Sequence, residues 1–331
     1  MNITDLKFDY ADLADQKLEE LDLPGRPAIL YEPVKYTLSL GGKRIRFFFT
    51  VTSSGMCGAS MEEAIPAALA IELLHNFTLL HDDVMDSADT RRGNPSVYRK
   101  WGTSAAILSG DILFVKAIEQ LHYYGSNERF SKEQYNKLQS VFYECAERVC
   151  EGQAFDLEFE GDITVTVDDY IEMVEGKTAA LISGAFRLGG TVADADQETL
   201  EELALIGNEL GIAFQIQDDL LDVVGDPEKF GKQRGGDIIE GKITYLTAQT
   251  LERADASQKK MLTSIISGKE AGAAEIESVI ALYKELDIIR DTRQAVESYY
   301  SDALRRLQHF PSSEYRNDIE ILIEKLTNRE F

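Results

Sequence analysis

Six aspartates carry the clearest chemistry in this 331-residue chain. Asp82, Asp83 and Asp86 stand in HDDVMD at 81–86, and Asp218, Asp219 and Asp222 stand in QDDLLD at 217–222. Both triples read Asp-Asp-x-x-Asp. On a helix, steps of three and four gather the carboxylates on one side. Like charges that close repel one another, and the negative end of a helix dipole adds to the penalty at a C-terminus. Such a cluster is comfortable under a cation. All the donors are oxygens, which selects a hard ion, Mg²⁺ ahead of zinc or copper. Mg²⁺ also shares its coordination sphere readily with phosphate oxygens, so the pattern asks for a metal–diphosphate complex held between two helices. One such triple in a chain with 58 acidic residues reads as easily as a solvated helix face. Two copies, each closing an apolar helical run, argue against that reading.

The scarcer cations gather near glycines and near these triples. Gly41-Gly42-Lys43-Arg44-Ile45-Arg46 sets three cations after a flexible turn, Arg91 and Arg92 follow Asp86 by five and six residues, and Gly176-Lys177-Thr178 follows an acidic stretch. Lys232 and Lys242 lie in or beside a segment with five glycines from Gly225 to Gly241, which suggests a lid over a charged substrate. Arginine holds phosphate through paired hydrogen bonds, and lysine acts as a mobile point charge. A surface ion pair is the plain reading of any one of these groups; their grouping favours an anion site.

Helices must position these residues. Apolar spacing near 3.6 marks 13–23, 64–80, 141–159, 200–221 and 276–307, and no sustained alternation of period two occurs. Thr166 before Asp168 and Asp169 reads as a helix start. Breakers fall at Gly41–Gly42, Gly93–Pro95, Gly125–Asn127, Gly161, Gly189–Gly190 and Gly225–Gly241, and none has the composition of a linker. The expectation is an all-α protein of ten or more helices, with residues 1–331 forming a single domain.

Composition bounds the partners. With 34 basic and 58 acidic residues the formal charge is 34 − 58 = −24, the wrong sign for a nucleic-acid or anionic-membrane surface. The start of the chain carries Asp5, Asp9, Asp12 and Asp15 in place of a basic, apolar signal, and no unbroken apolar run reaches about 18 residues, so no integral membrane segment is expected. Cys57, Cys145 and Cys150 are too few for a disulfide framework or a four-cysteine zinc site and fit reduced thiols in a cytoplasmic protein.

Together the motifs resemble those of the trans-isoprenyl diphosphate synthases, or polyprenyl synthetases. The matching segments are GGKRIR at 41–46, HNFTLLHDDVMDSADTRRG at 75–93, GKT at 176–178, FQIQDDLLDVVGD at 214–226 and GKQRGGDIIEGKIT at 231–244. The resemblance implies an all-helical isoprenoid synthase fold around a central cavity, with the two triples facing each other across its mouth. It implies head-to-tail condensation of an allylic diphosphate with isopentenyl diphosphate, aided by Mg²⁺, three per active site, in a homodimer. By position, all six aspartates would serve the metals. Arg91, Lys177, Lys232 and Lys242 would grip the allylic diphosphate, with Gln153 and Asp156 near it. Lys43, Arg46, His75 and Arg92 would hold isopentenyl diphosphate, and Thr178 and Gln215 would face the reacting carbons. His75 alone would pass for a satisfied core histidine; its match to the family position assigns it to phosphate. Phe47 stands where the family often has proline, and Ile243 and Tyr245 vary the lid region, but no charged group is lost.

In this family a bulky residue upstream of the first triple stops the growing chain. Phe77 stands five before Asp82 and Thr78 four before, with no insertion inside the triple, a combination that resembles geranylgeranyl diphosphate synthases (C20 product). On a helical wheel Thr78, about 40° from Asp82, is better aligned than Phe77, about 140° away. Farnesyl and longer polyprenyl synthases are the neighbouring alternatives. A class I terpene cyclase usually carries one such triple and lacks the Lys43–Arg46 site. An HD-type phosphohydrolase wants a histidine well upstream of His81, and none precedes His75. A non-catalytic partner subunit tends to lose the triples.

Overall fold

Ser60 starts the helix that carries the first triple. Its hydroxyl accepts the Glu63 N–H while the Glu63 carboxylate accepts the Ser60 N–H, a reciprocal cap that fixes the first turn of α4 (Met61–Met85). Ala64, Ala67, Ala68, Ile71, Leu73 and Leu74 then bury almost completely. Small and branched apolar residues at these spacings let neighbouring helices approach closely. The computed structural model describes residues 9–225, 235–268 and 272–327, and nearly all of its regular structure is helical.

The chain divides into two compact units. The first runs to Ala146 and adds Gly184–Ala204 and Phe310–Ile321. In it α4 packs along α6 (Thr103–Ser126) and α3 (Ile45–Met56), while α2 (Ala28–Ser39) lies on α6. The second contains Glu147–Ser183, Leu205–His309 and the chain from Leu322. It holds the end of α7 (Lys132–Glu158), α8 (Val167–Val174), a π-helical turn at Glu175–Ala179, the end of α10 (Gln197–Val224) and a short helix Gly236–Glu240.

Most expected elements occur as read. Thr166 caps α8, with Asp169 returning the bond to the Thr166 N–H at 2.8 Å. Three differences have local causes. The stretch 276–307 is two helices, Ala273–Glu285 and Ile288–Leu307, because Asp287 adopts φ 59° and ends the first. Residues 90–95 form a minimal hairpin, β1 (Thr90–Arg91) against β2 (Asn94–Pro95), turned by Arg92 and Gly93 at φ 53° and 74°. Two positive φ angles in the loop are what a tight antiparallel turn needs. Finally, α4 is long enough and apolar enough on average to cross a bilayer, although no unbroken run is; 61% of that stretch is buried within the protein, as in a core helix.

Candidate active site

The first triple ends α4. Asp82 and Asp83 lie in its last turn and Asp86 is its C-cap, so all three carboxylates sit at the unfavourable end of the dipole. Asp83 is buried, and its Oδ1 accepts from Arg91 Nε at 2.9 Å and from Arg91 Nη2. Burial raises the Asp83 carboxyl above its ordinary value, Arg91 pulls it back, and Asp86 pushes it up again. The hairpin therefore delivers Arg91 to the triple. Asp82 is half-buried beside it and Asp86 is exposed.

The basic residues of 41–46 do not behave alike. Arg44 takes a left-handed conformation (φ 49°) as the N-cap of α3 and turns inward, where 2% of it reaches solvent. Its guanidinium donates to Asp15 Oδ1 (2.7 Å), Glu72 Oε1 (3.1 Å) and Leu38 O (2.9 Å). Arg44 thus braces the turn from within. Lys43 is exposed and Arg46 is half-buried. Arg92, exposed at the hairpin tip, lies over Gly42; a Cβ there would stand 2.9 Å from its guanidinium carbon. The mobile guanidinium could swing aside, but Gly42 also sits at φ 155°, a backbone that favours glycine. Burial lowers Arg46 to about 10, with Glu72 opposing and Arg92 adding to the fall, so it stays a cation at neutral pH.

His75 joins the same group. Burial first, then the positive charges of Arg46, Arg92, Arg91 and Arg44, hold its imidazole well below the usual histidine range. Below about pH 6.5 the unfolded chain therefore binds a proton that the folded chain refuses. That term removes stability as pH falls, by up to about 1.4 kcal/mol per pH unit. Replacing His75 by Gln deletes it. The gap between the two proteins in urea-melt stability should narrow or reverse in the variant's favour between pH 7 and 5.5. A gap constant across that range would mean that His75 protonates freely in the fold.

The second triple lies near the end of α10, and its members are held differently. Asp219 is buried and accepts from Tyr170 Oη (2.6 Å), Gln215 Nε2 (3.0 Å) and the Tyr245 N–H (3.1 Å). Burial raises Asp219 to about 6 against the pull of those three bonds, and Asp218 adds to the rise. Asp222 accepts from the N–H groups of Gly236 (3.1 Å) and Asp237 (3.2 Å) at the start of the short helix. Asp237 is pushed up to about 8 by burial and then by Asp219 and Asp222, with Lys242 acting in the opposite sense.

The π-helical turn presents Lys177 and Thr178. It packs against α7 through glycines: a Cβ on Gly152 would stand 2.0 Å from Lys177 N, and one on Gly176 would stand 2.8 Å from Arg148 O. Widened turns of this kind recur at functional sites. Lys177 Nζ donates to Asp156 at 2.5 Å, and the Thr178 hydroxyl donates to the Gln215 carbonyl at 2.9 Å. Gln215 in turn donates to Asp219, so Asp219, Gln215 and Thr178 form one relay. Asp156, Lys177, Gln215, Asp219, Asp237 and Lys242 line one pocket. Lys242 Nζ pairs with Glu240 at 2.8 Å, and Gln153 is buried on α7 beside Gly152. Lys232 lies outside the described residues.

Tyr170 and the Tyr245 N–H bond to Asp219, and Asp237 adjoins Asp219 and Asp222; motif reading passed over all three. Asp237 was inside a matching segment, but nothing in its spacing marked it. Tyr170 falls one turn into the helix that Thr166 starts, and only the packing of α8 reveals its partner.

Phe77 points to α6. Its ring lies 4.6 Å from that of His81 and 5.4 Å from Phe114, and Phe114 lies 6.0 Å from Phe142. The Thr78 hydroxyl is tied to its own helix through His75 O at 2.8 Å.

The donors suit a hard divalent ion. Both triples offer only carboxylate oxygen, although among the described residues no three acidic, histidine or cysteine side chains stand together as a metal-holding group. Asp83, Asp219 and Asp222 are each steadied by protein donors. A few oriented carboxylates per helix suit an ion such as Mg²⁺, which keeps waters and takes phosphate oxygens, better than a fully protein-ligated one.

Comparison with known proteins gives the same direction. The polyprenyl synthetase family profile matches residues 27–283. A short chain isoprenyl diphosphate synthase of Methanocaldococcus jannaschii is 41% identical over 255 residues, 77% of this chain and 76% of that protein. The crystal structure of geranylgeranyl pyrophosphate synthetase from Pyrococcus horikoshii Ot3 is similar at TM-score 0.90 and 38% identity, covering 97% of this chain and 96% of that one. A polyprenyl synthase from Caulobacter crescentus CB15, solved with calcium and isoprenyl diphosphate, is similar at TM-score 0.83 and 27% identity over 97% of this chain and 94% of that one.

Proposed function

The chain belongs to the polyprenyl synthetase family and is a prenyltransferase; we propose that it joins an allylic diphosphate head-to-tail to isopentenyl diphosphate and stops at geranylgeranyl diphosphate. The observation that carries the reading is the pairing of two carboxylate triples with two separate sets of cations. One set follows the first triple and the 41–46 turn; the other stands on the π-helical turn beside the second triple.

The roles are those the family resemblance implies, position by position. Lys177, Lys242, Lys232 and Arg91 hold the allylic diphosphate, with Gln153 and Asp156 beside it. Lys43, Arg46, Arg92 and neutral His75 hold isopentenyl diphosphate. Asp82, Asp83, Asp86, Asp218, Asp219 and Asp222 hold Mg²⁺, three ions in the full site. When bound, the ions supply positive charge against the departing diphosphate. The C–O bond breaks heterolytically, leaving an allylic cation. The Gln215 carbonyl, fixed by Thr178 and Asp219, offers that cation a dipole without a reactive nucleophile. Apolar walls keep out water that would trap it as an alcohol. The double bond of isopentenyl diphosphate attacks, and the released diphosphate takes the proton. All of 1–331 acts as one synthase domain, as a homodimer in the cytoplasm.

Product length is the finer part of the reading. The ring contacts of Phe77 with His81 and Phe114, and the tethering of Thr78 to its own helix, support Phe77 as the stop. Chromatography of products from the allylic starter and isopentenyl diphosphate tests the reading. A C20 product is expected from the native protein, and products longer by at least one isoprene unit from Phe77→Ala. An unchanged length in the variant would remove Phe77 as the ruler; a cyclised hydrocarbon or bare phosphate release would overturn the reaction itself.

A further inference from the structure

Glu72 lies on α4 three residues before His75, with 2% of its surface exposed. A carboxylate so buried has lost its water and must be held by the protein. Its Oε1 accepts from Arg44 Nη1, and Arg44 is itself fixed by Asp15 and Leu38 O. Asn76, one turn along, donates to the Glu72 carbonyl at 2.8 Å and pins the backbone. The carboxylate is thus anchored at one oxygen. Its other oxygen, Oε2, is buried with no hydrogen-bond partner, and so is Arg46 Nε. Glu72 is also the charge that most favours the Arg46 guanidinium, against the neighbouring Arg92. An acceptor and a donor, both buried, unpartnered and electrostatically coupled, complement each other.

We propose that Glu72 is the positioning residue of the isopentenyl diphosphate subsite: anchored on Arg44, it holds the Nε edge of Arg46 through one bridging water and leaves the two terminal nitrogens to grip the diphosphate. The inference rests on reading Arg46 as a diphosphate ligand. A guanidinium fixed along one edge presents its remaining donors in a set direction, which suits paired bonds to phosphate.

Glu72→Gln is the probe. Its amide oxygen still serves Arg44, but its NH₂ then faces another donor and the charge is gone. Steady-state kinetics should show the KM for isopentenyl diphosphate raised at least about tenfold, with kcat and the KM for the allylic diphosphate within about threefold of native. Glu72→Asp, which keeps the charge but draws the carboxylate back by one methylene, should recover most of the loss and retain a rise of a few-fold. A melting temperature close to native excludes general damage. If Glu72→Gln does not fold, Glu72→Asp takes its place, and a selective rise of a few-fold in the same KM supports the role while no rise overturns it. A Glu72→Gln variant with native KM overturns the proposal when Arg46→Gln still loses isopentenyl diphosphate. If Arg46→Gln also keeps native KM, the subsite reading itself fails. Equal losses in every parameter would make Glu72 a folding residue only.

Discussion

Replacing Gly152 by Ala should lower kcat by about a hundredfold or more while the chain still folds. Inside α7 the exchange is locally favourable, by about 1 kcal/mol of helix propensity. The added Cβ, however, would stand 2.0 Å from Lys177 N and 2.5 Å from the Gly176 carbonyl carbon. Those are backbone atoms, so no side-chain rotation relieves the contact; α7 and the π-helical turn must part. Overpacking of this kind costs about 1–3 kcal/mol, which cancels or exceeds the propensity gain. The larger effect is on chemistry. Parting the helices shifts Lys177 away from Asp156 and Thr178 away from Gln215, and displacements near 1 Å cost about 10²-fold in rate. Single-turnover rates at saturating substrate, with a melting curve, check this. A native rate would show that the glycine contact does not set the positions of Lys177 and Thr178.

Asp82→Asn and Asp218→Asn should each lower kcat by about a hundred- to a thousandfold, equivalent to about 3–4 kcal/mol of lost charge stabilisation. Both exchanges keep side-chain shape. Both sites are half-buried, unlike Asp83 and Asp219, whose neutralisation would also disturb Arg91 or the Tyr170–Gln215 set. Native turnover in either variant would mean that its triple does not serve the leaving group.

What was legible beforehand has a physical pattern. Helices α4 and α10 were readable because apolar spacing over many turns adds up, and the triples were readable because carboxylates crowded at helix ends have few uses. The start of α8 was readable from Thr166 and Asp169 because a capping box is a local interaction. The π-helical turn was not, since its close packing brings Gly152 against Gly176 across 24 positions, and no local propensity encodes that. Arg44 read only as one of three cations after the 41–42 turn, with no role of its own beside Lys43 and Arg46. Its left-handed backbone and its buried partners Glu72 and Asp15 give it the bracing role that no spacing encodes. The hairpin at 90–95 escaped because two residues per strand carry no periodicity, and Asp237 because its meaning comes from Asp219 and Asp222, not from its own neighbours in sequence.

The central claim, that two acidic helix ends hold divalent ions against a departing diphosphate, is met most directly by one titration. Protein stripped of metal with EDTA is given dimethylallyl diphosphate and isopentenyl diphosphate, and elongated product is measured before and after Mg²⁺ is restored. Elongation should be absent in the chelator and return in proportion to free Mg²⁺. Undiminished elongation in excess EDTA would contradict the claim.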